Sequence, residues 1–141
     1  MLVLNPEWVS LLGTTIEGVR RVVVQRSAAR SLVEWGDEGA FPIFADVPEQ
    51  RVEIEVVADI ARDSLEGAAP GDEGTLRFFT APVAGSGGRR RVEASVVVLE
   101  ARYDVEPGSR AQRRWRMVAL SDGGAADPIE VTSGEDGDRG A

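Results

Sequence analysis

Between Arg91 and Val105 the chain runs RVEASVVVLEARYDV, fifteen residues without Gly or Pro. Such a run reads as one long β-strand. Val92, Ala94, Val96 and Val98 alternate to one face, and Val97, Leu99, Ala101, Tyr103 and Val105 to the other. A strand apolar on both faces lies between two packed layers or turns one face to a partner subunit. Either way the strand needs neighbours in a sheet.

The rest of the chain fits that frame. GVRRVVVQR at residues 18–26 is β-branched and reads as a strand, with a weaker one from Ser31 to Trp35. Val52, Ile54 and Val56 alternate with Glu53, Glu55 and Val57, the pattern of a half-buried antiparallel strand. Further strands are expected at Thr75–Thr80, Arg114–Ser121 and Ile129–Thr132. One or two short helices are also expected, the first with a few turns or an extended arm as its alternative. Asn5-Pro6-Glu7 has the form of a helix entry, with Trp8, Leu11 and Leu12 on one face through about residue 12, and DIARDSLE at 59–66 places Ile60, Ala61 and Leu65 inward before Gly67. Residues 36–50 carry two Gly, two Pro and four acids and read as an extended loop, and VAGSGG at 83–88 as a flexible connection. The sequence thus predicts one β domain over residues 1–132, two packed antiparallel sheets in a sandwich or partly closed barrel, and a disordered acidic tail at 133–141.

Composition removes most catalytic chemistry. The 141 residues contain no Cys, no His and no Lys, so all 16 basic residues are Arg. Thiolate or imidazole catalysis, a Cys/His zinc site, a Schiff base and a phosphate-loop lysine are excluded. Neither a cofactor nor a metal site is expected: Gly85-Ser86-Gly87-Gly88 fits no phosphate-binding pattern, and Glu135-Asp136-Gly137-Asp138 lacks the ligand spacing of a calcium loop. Carboxylate pairs such as Glu53/Glu55 or Asp59/Asp63 could serve a glycosidase, but with 24 acids some proximity arises by chance. No apolar run approaches the roughly 20 residues of a membrane span, and no signal peptide is read at the start.

Charge is segregated along the chain. Residues 1–88 carry a net −7, residues 89–116 a net +4 and residues 117–141 a net −5, for a total of −8. A basic segment around Arg110, Arg113, Arg114 and Arg116 on an acidic body suits head-to-tail association between copies, with solvated strand faces as the plainer explanation. Trp115 among these arginines is a possible nucleic-acid surface, but the overall acidity repels a polyanion. Trp35, Phe41 and Phe44 around the 36–50 loop are aromatic anchors in a polar setting, as an interface needs, unless the loop folds back onto its own domain.

The order of elements carries a resemblance. A β-branched first strand, a Pro/Gly/acid loop, RVEIEVV, DSLEGAAPGDEGTLRFF, a valine-rich strand, RWRMVAL and a closing DPIEV together resemble the tail-tube proteins of long-tailed bacteriophages and gene transfer agents, whose fold is shared with type VI secretion inner-tube proteins. Its most suggestive pieces are Leu65 followed by Gly71, Gly74 and Leu76, and Asp127-Pro128-Ile129. The resemblance implies a non-enzymatic virion protein made in the host cytoplasm. It also implies six-subunit rings, stacked into a tube with other tail proteins, through which DNA passes without specific binding. The 36–50 loop would then be an arm to the adjacent ring, and Glu53, Glu55 and Glu93 would line the lumen and repel phosphates. A terminator or distal-tail ring protein, or a monomeric carbohydrate-binding module using Trp35 or Trp115, are the alternatives.

Overall fold

The computed structural model describes residues 5–60, 67–81, 89–108 and 111–133. Eight strands follow one another: β1 (Asn5–Leu11), β2 (Thr14–Thr15), β3 (Val19–Trp35), β4 (Pro42–Asp59), β5 (Glu73–Ala81), β6 (Arg90–Asp104), β7 (Gln112–Leu120) and β8 (Glu130–Ser133). All belong to a single antiparallel sheet in the order β2-β1-β5-β6-β7-β4-β3. The long strand β6 has β5 on one edge; on the other, Arg90–Glu93 pair with β8 and Ser95–Asp104 with β7.

Alternation explains the core. Val52, Ile54, Val56 and Ala58 of β4, Leu76 and Phe78 of β5, Ala94, Val96 and Val98 of β6, and Trp115, Met117 and Ala119 of β7 point to one side and are buried together. Val9 and Leu11 of β1 join the same cluster, and β1 touches β3 although most of the sheet separates them. The sheet therefore coils over onto its own core, as the twist of strands favours. No ladder joins β1 or β2 to β3 among the described residues, so it is not closed into a barrel.

Four expectations are corrected. The first helix is absent: residues 5–11 form β1, paired with β5 from Asn5↔Ala81 to Leu11↔Leu76. Val9 and Leu11 alternate into the core, and backbone pairing with β5 satisfies polar groups that an isolated helix of two turns could not hold. The two sheets are one continuous ladder, whose halves face each other by coiling. The strands expected at 18–26 and 31–35 are parts of one strand, β3 (Val19–Trp35). The 36–50 loop is short, because residues 42–50 belong to β4 and only 36–41 connect the strands. Prolines are compatible with that assignment, since Val47 and Pro48 fall where the register shifts between Arg30↔Glu49 and Leu32↔Asp46, in a bulge that requires no ladder bond from Pro48. Among the described residues there is no helix. Most of the 59–66 helix, the 83–88 connection and all but Ser133 of the acidic tail lie outside the described residues, while Asp59 still belongs to β4 and the Ile60 amide donates to the Ala111 carbonyl.

The apolar second face of β6 has a structural cause. The register shifts between Val98↔Met117 and Glu100↔Arg116, so the strand changes which parity faces the core. Ala101, opposite Trp115, packs onto the core, whereas Val97 and Leu99 stay on the outer face. A bulge of this kind accounts for half of a pattern that otherwise demands a second layer.

Candidate assembly surfaces

The hairpin of β3 and β4 extends far past the core. From Val24 to Trp35 and from Pro42 to Arg51 every residue is exposed, while the ladder continues out to Trp35↔Pro42. At about 3.3 Å per residue, the stretch from Val52 to Pro42 carries the tip about 30 Å beyond the body. Beyond the Ser27↔Arg51 pair, this two-stranded arm holds seven of the thirteen large exposed hydrophobic side chains among the described residues: Leu32, Val33, Trp35, Phe41, Ile43, Phe44 and Val47. Phe41 is 83% exposed, Ile43 74% and Trp35 61%. Ile43 lies over Gly36, where an added Cβ would stand 3.4 Å from its methyl groups. Along β4, Ala45 sits opposite Val33 and Phe44 opposite Glu34. The arm carries no basic residue between Arg30 and Arg51, and Glu34, Asp37, Glu38, Asp46 and Glu49 make it acidic. Between Ser27 and Arg51 the one ion pair among the described residues is Arg30–Glu49, at 3.7 Å.

The anchors Trp35, Phe41 and Phe44 are thus brought together at the arm's tip. The other two groups of expected site residues are brought onto each other instead. Arg114 and Arg116 of β7 share the outer face of the sheet with Glu53 and Glu55 of β4, because Glu55 sits opposite Arg116. Arg114 pairs with Glu55 at 3.5 Å, and Arg116 with Glu53 at 3.9 Å and Glu100 at 3.8 Å. Arg21 and Arg51 add contacts to Glu55 and Glu53, and Glu93 is held by Arg77 at 3.3 Å and Arg91 at 3.7 Å. Charges that lie in separate segments of the sequence are interleaved on one face. Arg110 lies outside the described residues. Trp115 is 3% exposed, so it forms part of the core and offers no platform for a sugar ring.

Arg113 has a different setting, one that sequence reasoning missed. Its guanidinium stacks 4.7 Å from the Trp115 ring centre, at the end of the sheet where β4 finishes. There it helps line an open pocket of about 270 Å³ with Leu11, Leu12, Thr14, Ile16, Gly67 and Asp72. Leu12 and Gly13 form the two-residue turn between β1 and β2, both at positive φ, 55° and 83°. This is the geometry that takes Asn-Gly or Asp-Gly, and a leucine there costs about 1–2 kcal/mol. The Leu12 side chain leans over Gly74, where any Cβ would collide with it. The only legible signal was Gly13.

Asp127 secures the base of the arm. Its carboxylate accepts from the Ile129 amide at 2.9 Å and from Arg26 at 3.0 Å. The backbone bond, followed by the Arg26 guanidinium, holds its pKa below the ordinary 3.8. A lowered pKa stabilises the folded state above the unfolded value, and the gain is lost as pH falls through the folded value. Asp127→Asn should therefore lower stability at pH 7 by under about 1 kcal/mol, since the pair is exposed. The difference from wild type should vanish below the ordinary carboxylate range, as measured by urea unfolding across pH.

No model of a known protein family matches the chain, and no curated protein matches it. Among solved structures it is similar to the tail of an empty GTA particle computed with helical refinement in C6 symmetry. The two share 12% identity over 84% of this chain and 85% of that one, with a TM-score of 0.49. That degree of likeness assigns no role to any residue of this chain.

Proposed function

We propose that the chain is a structural subunit of a phage-like tail tube, whose activity is self-assembly. Copies close into six-membered rings, the rings stack, and other tail proteins join the ends. DNA passes through the bore without specific binding, and the protein, made in the host cytoplasm, ends in the virion. The observation that carries this reading is the arm: a ribbon about 30 Å long that buries nothing of its own body and displays Trp35, Phe41 and Ile43 at its tip. Two-stranded ribbons are marginal alone in water. An exposed apolar cluster of that kind marks a contact with another molecule. The arm fits the role that the tail-tube resemblance gives to this segment, contact with the adjacent ring.

The net charge of −8 supports a conduit, because an acidic bore repels phosphates. Glu53, Glu55 and Glu93 would line it interleaved with arginines, so the repulsion comes from the excess of acid over the whole surface. The test is the solution mass of the purified protein by light scattering, with the same sample viewed by negative-stain microscopy. Six-membered rings or tubes are expected. A strict monomer at every concentration would overturn the proposal.

A further inference from the structure

The arm and the Leu12–Arg113 pocket lie at opposite ends of the body. The arm leaves past Val52, whereas Arg113 faces Ala58 across the β4–β7 ladder, about 20 Å along β4 at the strand rise. The pocket's volume of about 270 Å³ is below the roughly 300–1,000 Å³ of small-molecule sites and suits a side chain better than a cofactor. Its walls are apolar at Leu11, Leu12 and Ile16, and Arg113 and Asp72 add one charge of each sign to the lining. The Asp72 carboxylate accepts from the Ala69 amide at 2.8 Å, which holds it against its own loop. The arm tip has the complementary make-up: exposed aromatic side chains among Glu34, Asp37 and Glu38.

The geometry points to this pocket as the socket for the arm tip of a second copy. An aromatic side chain from the tip enters between Leu12 and Ile16, and the tip acids meet Arg113. The strain at Leu12, which is half-buried against the core at the pocket's edge, fits such a role, since backbone strain collects at functional surfaces. Donor and socket are different surfaces at opposite ends, so each contact is head-to-tail and leaves a free donor and a free socket. The inference rests on assembly through the arm and names where the arm goes.

The absence of native cysteine makes a direct test available. A chain carrying both Phe41→Cys and Thr14→Cys should give, under mild oxidation, a ladder of disulfide-linked oligomers on a non-reducing gel. Each single variant should stop at dimers. Leu12→Asn suits the turn and keeps the fold, so a need for at least about tenfold more protein to assemble would report the lost socket wall. Arg113→Glu should weaken assembly similarly, and adding Glu38→Arg should restore it; circular dichroism checks that each variant folds. If the double-cysteine chain gives nothing beyond dimers while deletion of the arm abolishes assembly, the socket is elsewhere and this inference is overturned alone. If assembly survives deletion of the arm, this inference falls together with the arm's role in the proposed function, while the assembly itself stands.

Discussion

Replacing residues 28–50 with an Asn-Gly turn between Ser27 and Arg51 should yield a folded monomer that forms neither rings nor tubes at any accessible concentration. Ser27 and Arg51 are directly paired before the first bulge of the arm, so a two-residue turn can close the ladder there. Nothing in 28–50 belongs to the core, which begins at Val52. The stability of the body should therefore change by no more than about 1 kcal/mol, because a lone ribbon contributes little. Assembly should respond far more strongly. Trp35, Phe41 and Phe44 are the kind of aromatic anchors whose removal costs about 2–4 kcal/mol each at an interface. Loss of all three corresponds to a weakening of more than about a thousandfold, which light scattering and microscopy would read directly. A shortened chain that assembles normally would remove the arm from the mechanism.

Trp115→Ala should have the largest effect on folding of any single substitution of an aromatic residue here. The indole is buried at the pocket end of the core, opposite Val56 and Ala101, with Arg113 stacked on it and Gly67 against its six-membered ring. Deleting a buried tryptophan leaves a cavity and costs about 3–5 kcal/mol. Against a total stability of about 5–15 kcal/mol, that displaces the urea midpoint by a large part of its value. Loss of the indole should also unseat Arg113, so assembly of the folded fraction should weaken. A midpoint close to wild type would mean that Trp115 does not anchor the core.

The strands were legible where alternation met a single buried face. Val52 to Val56 and Trp115 to Ala119 needed only a period of two. At β1 the signals conflicted: Asn5-Pro6-Glu7 matches a helix entry, and Trp8, Leu11 and Leu12 match a helical face, yet Val9 and Leu11 alternate equally well. Pairing with β5 decided between them, with Trp8 turned outward at φ 50° where the register shifts between Glu7 and Ser10. The outer half of β4 was hidden by Pro42 and Pro48, residues that an inner strand excludes and a bulged two-stranded ribbon admits. Charge posed a different problem. The sequence separates arginine from acid along the chain, but which acid meets which arginine depends on β7 lying between β6 and β4, a long-range pairing that no local pattern encodes. Trp35, Phe41 and Phe44 could be picked out beforehand because aromatic residues among acids and prolines stand out without any knowledge of topology.

The three register shifts along the arm, at Ala28/Arg30, Arg30/Leu32 and Glu34/Trp35, bear on how an exposed apolar ribbon stays soluble until a partner arrives. A long, flat, unpaired edge invites other chains to add strands to it and grow into cross-β aggregates. Each shift twists the ribbon and breaks the row of outward backbone groups, so no regular stretch between them spans more than a few residues. A strand from another chain therefore finds no extended template. What the arm can still offer is its side chains, and a side-chain contact is satisfied by one fitting surface and then stops. The bulges thus separate controlled growth by subunits from uncontrolled growth by strands.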